Sequence, residues 1–391
     1  MKVLRIIGSL DRVHGGPSTA ARAMSHALVR AGAQVEQITT IDAGSVEHDD
    51  GSPQLEDGVV YRYFRRSTRG TYHHSRGLAR YVRDGIASFD VAHVEGLFQH
   101  STVSGCRSAR RAGVPYVLGP LGALGQWSIR HRAWKKWPHY YLFDRRCLAN
   151  AAALHANSPA EARDLERLGF GDRTHLIPLG VDLPVIAPRA PRADATLRIL
   201  FLSRLHPVKG LPVLMEAIAA LRDGGGNVRL TVAGSGEPAY ERTLRALVDR
   251  LRLREVVRFT GHIEGAAKDA LFRESDVFAL TSFQESFGLA VAEALAYRLP
   301  VLITPEVGIA DEVRAADAGW VVDPDPRRVM EALSALHDDE PRRLAMGERG
   351  ARLVAARYSW DSTARRLIEL YEEVARGATI RRPLLASPVS A

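Results

Sequence analysis

Cysteine is almost absent: the 391 residues hold only Cys106 and Cys147. Two thiols build neither a disulfide framework nor a four-thiolate zinc cage, which points to a reducing compartment. No apolar run approaches the roughly 20 residues that a membrane-spanning helix needs. The opening MKVLRIIGSL is short and soon followed by Asp11, which does not read as a secretory leader. Zinc-finger spacings, RNA-binding aromatic signatures and heptads are missing. So is the G-x-G-x-x-G spacing, which disfavours a dinucleotide-dependent dehydrogenase.

What is present is a globular composition, 46% hydrophobic and 25% charged, with a net charge of +8 and a pI near 9.7. The basic balance favours an anionic partner: a nucleotide, a membrane surface or a nucleic acid. The length calls for two domains. Strand and helix patterns alternate, predicting parallel sheets covered on both faces. KVLRIIG, AQVEQITT, VVYRYFRR, DVAHVEG, PYVLGP and ALHANSP read as strands of a first unit, with STAARAMSHALVRAG and SRGLARYVRDGIAS among its helices. A second series starts at RILFLSRL. The expected fold class is α/β, with two doubly wound Rossmann-like domains. Their expected boundaries are an N-terminal domain over 1–186, a linker over 187–197 and a second domain over 198–357. A closing helix over 358–377 and a loose tail over 378–391 complete the chain. Ligands of such domains bind at the carboxyl ends of strands, so two facing domains predict a ligand in the crevice between them.

The segment ESFGLAVAE, residues 285–293, is the most informative. Strand DVFALTS, a Ser286, Phe287, Gly288 turn and an Ala-rich helix put backbone N–H groups and a helix N-terminus at one spot, which suits a phosphate. Glu293, expected two full turns down that helix, is placed to take hydrogen bonds from a polyol such as a ribose. Glu285, in the loop, is placed to do so from a sugar ring. A surface helix with solvated acids is the competing reading. Three loops add to the set. Gly15 and Gly16 precede the first helix, where glycine allows close approach of a ligand and Ser18 or Thr19 caps the helix; an ordinary glycine turn competes. SRLHPVKG, 203–210, puts Arg204 and Lys209 after a buried strand, where they can pinch a diphosphate from two sides; solvated surface cations compete. Gly234 opens a small-residue loop, Gly-Ser-Gly, that leaves room for a ligand.

In this order, GGPS, IPLGVD, SRLHPVKG, VAGSGE, RFTGHI, ESFGLAVAE and SWDSTARRLIELYEEV resemble the retaining glycosyltransferases of family 4, group 1 glycosyl transferases of GT-B fold, over almost the whole chain. The resemblance implies that Arg204 and Lys209 hold the donor diphosphate and that Glu285 faces the donor sugar. It implies that Glu293 binds the ribose, that Ser286, Phe287, Gly288 and Leu289 cradle the distal phosphate and sugar, and that Gly16 closes on that phosphate. His262 and Ile263 would read the base. It further implies a UDP- or GDP-sugar donor, no cofactor and no metal requirement. The reaction would be a same-face displacement, with fixed cations and helix termini stabilising the leaving group. The closing helix would brace the N-terminal domain.

One departure stands out. Many members carry histidine in a Pro-His-Gly context where this chain has Leu121, in GPLGA. Leu121 cannot hydrogen-bond a sugar, so His93, His100 and Gln126 become the acceptor-side candidates, each with a structural or solvated alternative. The stretch 127–146 interleaves Trp and Tyr with Lys and Arg, which suits an anionic membrane surface near a lipid-linked acceptor; a helix packed by its Trp residues competes. The chain is thus expected to be a peripheral, cytoplasmic hexosyltransferase acting on a glycan or lipid-linked acceptor in cell-surface polysaccharide or glycolipid synthesis. A nucleotide-sugar epimerase of the same fold and a non-catalytic nucleotide-sugar binder are the alternatives. No nucleic-acid partner is expected.

Overall fold

The computed structural model describes residues 1–11, 16–41, 50–68, 72–125, 133–186 and 194–377. Gly15, Gln126, residues 127–132 of the basic-aromatic stretch, most of the expected linker and the tail lie outside them. The chain divides into two compact units, Val181–Ser359 and the rest, with the segment from Trp360 returning to the first.

The first unit holds β1 (Lys2–Ile7), α1 (Gly16–Arg30), β2 (Gln34–Ile41), β3 (Pro53–Glu56), β4 (Val59–Arg65), α2 (Arg76–Gly85), β5 (Val91–Glu95), α3 (His100–Ala112) and β6 (Tyr116–Gly119). These are followed by α4 (Ala133–His139), a π-turn (Tyr140–Asp144), α5 (Arg145–Asn150), β7 (Ala153–Ala156), α6 (Pro159–Arg167) and β8 (Thr174–Leu176). The eight strands run in the order β3-β4-β2-β1-β5-β6-β7-β8. All neighbours are parallel except β3 on β4. That hairpin edge corrects the expectation of a purely parallel sheet: the sequence turns back through Asp57 and Gly58, both at positive φ, leaving room only for an antiparallel return. α1 starts at Gly16, so Ser18 lies inside the helix and does not cap it; its hydroxyl donates to Ser9 O at 3.4 Å.

Helix starts follow local chemistry. Ser75 accepts from Leu78 N–H at the head of α2, and Ser158 accepts from Glu161 N–H with Pro159 in the first turn of α6. The central strands are buried on both faces, β5 throughout. Under the C-terminal helix Trp360–Ala375, which packs on α1, lies a polar core. Arg5 on β1 pairs with Glu95 on β5 at 2.5 Å, both wholly enclosed. A lone charge there would cost several kcal/mol, about 3–5, so the pair is retained only because each partner answers the other.

The second unit holds β9 (Leu197–Leu202), α7 (Leu211–Asp223), β10 (Val228–Ala233), α8 (Pro238–Arg250), β11 (Val257–Gly261), α9 (Gly265–Glu274) and β12 (Val277–Leu280). It continues with α10 (Leu289–Ala296), β13 (Val301–Ile303), α11 (Ala310–Ala315), β14 (Gly319–Val321), α12 (Pro326–Asp338) and α13 (Glu340–Arg357). Its six strands lie in the order β11-β10-β9-β12-β13-β14, and every adjacent pair is parallel. Each unit is therefore an open doubly wound sheet. Strand order reverses between β1 and β5 in the first unit and between β9 and β12 in the second.

Candidate functional site

A doubly wound sheet opens a crevice where its strand order reverses, because the loops leaving the two central strands turn to opposite faces. In the second unit those loops follow β9 and β12. They are the two segments singled out by sequence, SRLHPVKG and the approach to ESFGLAVAE. They are laced together: Phe283 N–H donates to Val208 O at 2.8 Å, Ser282 Oγ to Val208 O at 3.0 Å, and Thr281 Oγ1 to Gly210 O at 2.9 Å. Lys209 Nζ then pairs directly with Glu285. Arg204, earlier in the same loop, is exposed.

The Lys209–Glu285 pair was not anticipated, since each residue was read as facing a different part of a donor. With both side chains partly buried, neutralising one by the other answers the desolvation of both. Glu285 is further fixed through its backbone: its N–H donates to Glu306 O and its carbonyl accepts from Gly308 N–H.

Gly288 sits at φ +94° and caps α10 with no side chain doing so. The Leu289 and Ala290 N–H groups at its start are therefore available to an anion, while Val291 N–H donates to Gly288 O at 2.9 Å. This left-handed residue also ends the loop late, so α10 begins at Leu289 and Glu293 lies little more than one turn along it. That corrects the expected two turns. Ser286 is half-buried, and Phe287 is buried, its ring edge-on to Tyr358 at 5.4 Å. Phe287 anchors the turn by packing and leaves the main chain to meet a ligand.

Glu293 receives Lys268 Nζ from α9 at 2.8 Å. Burial pushes its carboxyl above the ordinary range, and the Lys268 ammonium opposes that rise. Lys268 escaped the sequence reading because KDALFRES looks like any amphipathic surface helix. Gly234, at φ +132°, follows β10, and a Cβ there would stand 2.0 Å from Ser203 O. This glycine lets the third loop close on the first. His262 and Ile263 follow β11; His262 is exposed and its Nε2 lies 3.0 Å from Glu264 Oε1.

The acceptor-side candidates fare differently. His93 is 0% exposed. Its Nδ1 meets the Tyr371 hydroxyl at 2.6 Å and its Nε2 meets His155 at 3.3 Å. A ring so enclosed has no face for a ligand, so His93 belongs to the polar core. Burial, then repulsion from His155, holds it neutral, well below the usual range. His100 opens α3 and is half-buried against the His74 ring at 4.1 Å; burial and His74 lower its pKa to about 4. Leu121 takes a left-handed turn at φ +52°, and the following Gly122 N–H donates to Glu161. Gly16 begins α1, and Gly15 and Gln126 lie outside the described residues.

The described part of the basic-aromatic stretch presents an exposed apolar face. Trp134 is 74% and Tyr141 63% exposed, with Trp137, Leu142 and Phe143 beside them. Trp134 thus stands outside the core that the competing reading gave it. Among the described residues, no helix is long and apolar enough to cross a membrane.

Known proteins place these features. Residues 15–180 match the family described as glycosyl transferase 4-like domain, and residues 187–373 match glycosyl transferases group 1. The chain is 35% identical to a D-inositol 3-phosphate glycosyltransferase of Xylanimonas cellulosilytica, over 61% of this chain and 60% of that protein. It thus spans about three fifths of the length of that relative. A protein of the same name from Pseudarthrobacter chlorophenolicus is 29% identical over 91% of this chain and 90% of that one. Among solved structures, sucrose-phosphate synthase from Thermosynechococcus elongatus superposes with a TM-score of 0.79 at 21% identity, covering 96% of this chain and all of that one. Anabaena HepE in complex with UDP-glucose gives 0.77 at 18%, covering 95% of this chain and all of that one. Each half of the chain thus carries one of two matched domains in a GT-B fold, and the chain belongs to the glycosyl transferases group 1 family.

Proposed function

We propose that this chain is a retaining, metal-independent hexosyltransferase that takes a sugar from a UDP- or GDP-sugar and passes it to a hydroxyl of a polyol, glycan or lipid-linked acceptor. The observation that carries the reading is the meeting of Lys209 and Glu285 beside the uncapped start of α10 at the strand-order reversal. A diphosphate laid there meets a lysine, the Arg204 guanidinium and free helix N–H groups. Together these stabilise the charge that grows on the leaving nucleoside diphosphate. Glu293, held by Lys268, is placed for ribose hydroxyls. Glu285 positions the sugar, with Lys209 screening its charge. The acceptor hydroxyl attacks from the side the diphosphate leaves, and a phosphate oxygen takes its proton.

The relatives' name supports a phosphorylated cyclitol as one acceptor to try, and a role in cell-surface polysaccharide or glycolipid synthesis is the wider setting proposed. The exposed face at Trp134 and Tyr141 supports peripheral contact with an anionic cytoplasmic leaflet. The test is turnover by purified protein across UDP- and GDP-hexoses, with D-inositol 3-phosphate and lipid-linked glycans as acceptors. Transfer with retained anomeric configuration is expected. Tight donor binding without turnover would favour a binding protein, and donor isomerisation without acceptor would favour an epimerase.

A further inference from the structure

We infer that His139, oriented by Asp144, is an acceptor-binding residue whose Nε2 takes a hydrogen bond from a hydroxyl of a sugar or cyclitol ring. The inference rests on the transferase reading above and names a residue for its acceptor side. It begins with the backbone. α4 and α5 are joined by the π-turn Tyr140–Asp144, the single π segment among the described residues. In an α-helix the residue five places on points to a different face; an i→i+5 turn brings it back beneath the first. Pro138, which has no N–H to give, sits where the regular ladder stops. The result is that His139 Nδ1 and Asp144 Oδ2 stand 2.7 Å apart.

Asp144 is wholly enclosed and also accepts Phe98 N–H at 3.4 Å. A carboxylate can only accept, so Asp144 turns the Nδ1–H of His139 toward itself, and in the neutral ring that leaves Nε2 as the acceptor, turned away from the carboxylate. That Nε2 has no partner although it is out of contact with solvent. Leaving a buried acceptor unanswered is costly, and such groups in native folds call for a reason. Aromatic rings surround it. Phe143 lies 5.0 Å away, Tyr72 5.4 Å and Phe98 5.9 Å, centroid to centroid. The His139 side chain is itself 18% exposed, with the exposed Tyr72 and Phe143 beside it, so the ring lies at the surface and its Nε2 just beneath it. Phe98 follows β5, beside the strand-order reversal of the first unit, and is held at φ +61°. A non-glycine residue in that conformation costs energy that functional sites tend to retain.

Flat apolar rings with one aimed acceptor fit the C–H face and hydroxyl edge of a cyclic polyol. Among the described residues no three His, Cys, Asp or Glu side chains are set to hold a metal, so the pair is read as a hydrogen-bonding device.

The test uses the full chain, isotope-labelled in its histidine rings and titrated with myo-inositol, D-inositol 3-phosphate and methyl glucoside while the His139 Nε2 resonance is followed. At least one polyol should shift it. His139→Phe, which keeps a ring without the nitrogen, should weaken that polyol about 10-fold, as expected for one lost hydrogen bond. His139→Gln should recover part of the loss, and stabilisation by UDP or GDP should be unchanged in both. A silent His139 resonance with all three polyols, or His139→Phe binding them as the wild type does, overturns the inference. Absence of UDP and GDP stabilisation in the wild type overturns the transferase reading instead, so the two failures are distinguishable.

Discussion

Lys209 donates from Nζ to Glu285 Oε2 across 76 residues of sequence, joining the loops that leave β9 and β12. The pair sits at the strand-order reversal of the second unit, and each member answers a charge the other would leave uncompensated. In the proposed clamp a ligand diphosphate would offer Lys209 a second anion beside Glu285.

Lys209→Ala and Arg204→Ala should each lower donor turnover by about 100-fold or more, the loss typical of one electrostatic donor to a transition state. They separate on stability. Arg204 is exposed, so its removal should leave the melting temperature unchanged, whereas Lys209→Ala strands a half-buried carboxylate and should lower it. Near-wild-type turnover in either variant would remove the diphosphate clamp.

Glu293→Ala should weaken binding of free UDP or GDP by about 1–3 kcal/mol in calorimetry. Burial raises the Glu293 carboxyl, so the folded state holds its proton more tightly than the unfolded chain does. Stability carried by this group therefore falls as pH rises above the ordinary carboxyl range and through the raised folded value. Lys268→Met removes the opposing ammonium and should move that window upward. An unmoved window would show that Lys268 does not couple to Glu293.

His155 is enclosed between His93 and the Ile177 carbonyl, and burial lowers its pKa from 6.5 to about 4. Here the unfolded chain binds the extra proton, so stability is full above about pH 6.5 and is lost as pH falls toward 4. The span is worth roughly 3 kcal/mol. Denaturant titrations at pH 7 and 4 should show it, and His155→Gln should reduce the difference.

Gly234→Ala should destabilise the second unit by about 2 kcal/mol or more, because a Cβ would stand 2.0 Å from Ser203 O at φ +132°. Chemical denaturation reads the loss. An unchanged midpoint would mean that the loops after β9 and β10 part easily.

Trp134→Ser combined with Tyr141→Ser should reduce flotation with vesicles containing anionic lipid, and Lys136→Glu should weaken it further. Asp144 is the sole acidic residue in 127–150, and it is buried, so the exposed charges of the described part are basic. Equal flotation of wild type and variants ends the membrane proposal.

The loops at the strand-order reversal of the second unit could be read before folding. Buried strands ending in SRLHPVKG and ESFGLAVAE announce loops at strand ends, and a glycine before an apolar helix announces an open N-terminus. The surroundings of the first unit's histidines could not be read in that way. His93, inside the strand DVAHVEG, and His100, just after it, looked alike in sequence, but one points into the sheet's core and the other opens a helix. His139 drew no notice because it stands five places before Asp144, a spacing that an α-helix would waste.

Periodicity, glycine placement and strand-end loops were fixed by the chain itself, because local backbone preference and apolar alternation act within a few residues. The partners were decided by tertiary packing alone: Glu285 for Lys209, Lys268 for Glu293, Tyr371 for His93 and Asp144 for His139. Ion pairs and enclosed hydrogen bonds depend on which side chains a parallel sheet, a reversed strand order and a π-turn bring within a few ångströms, and no spacing along the sequence encodes that distance.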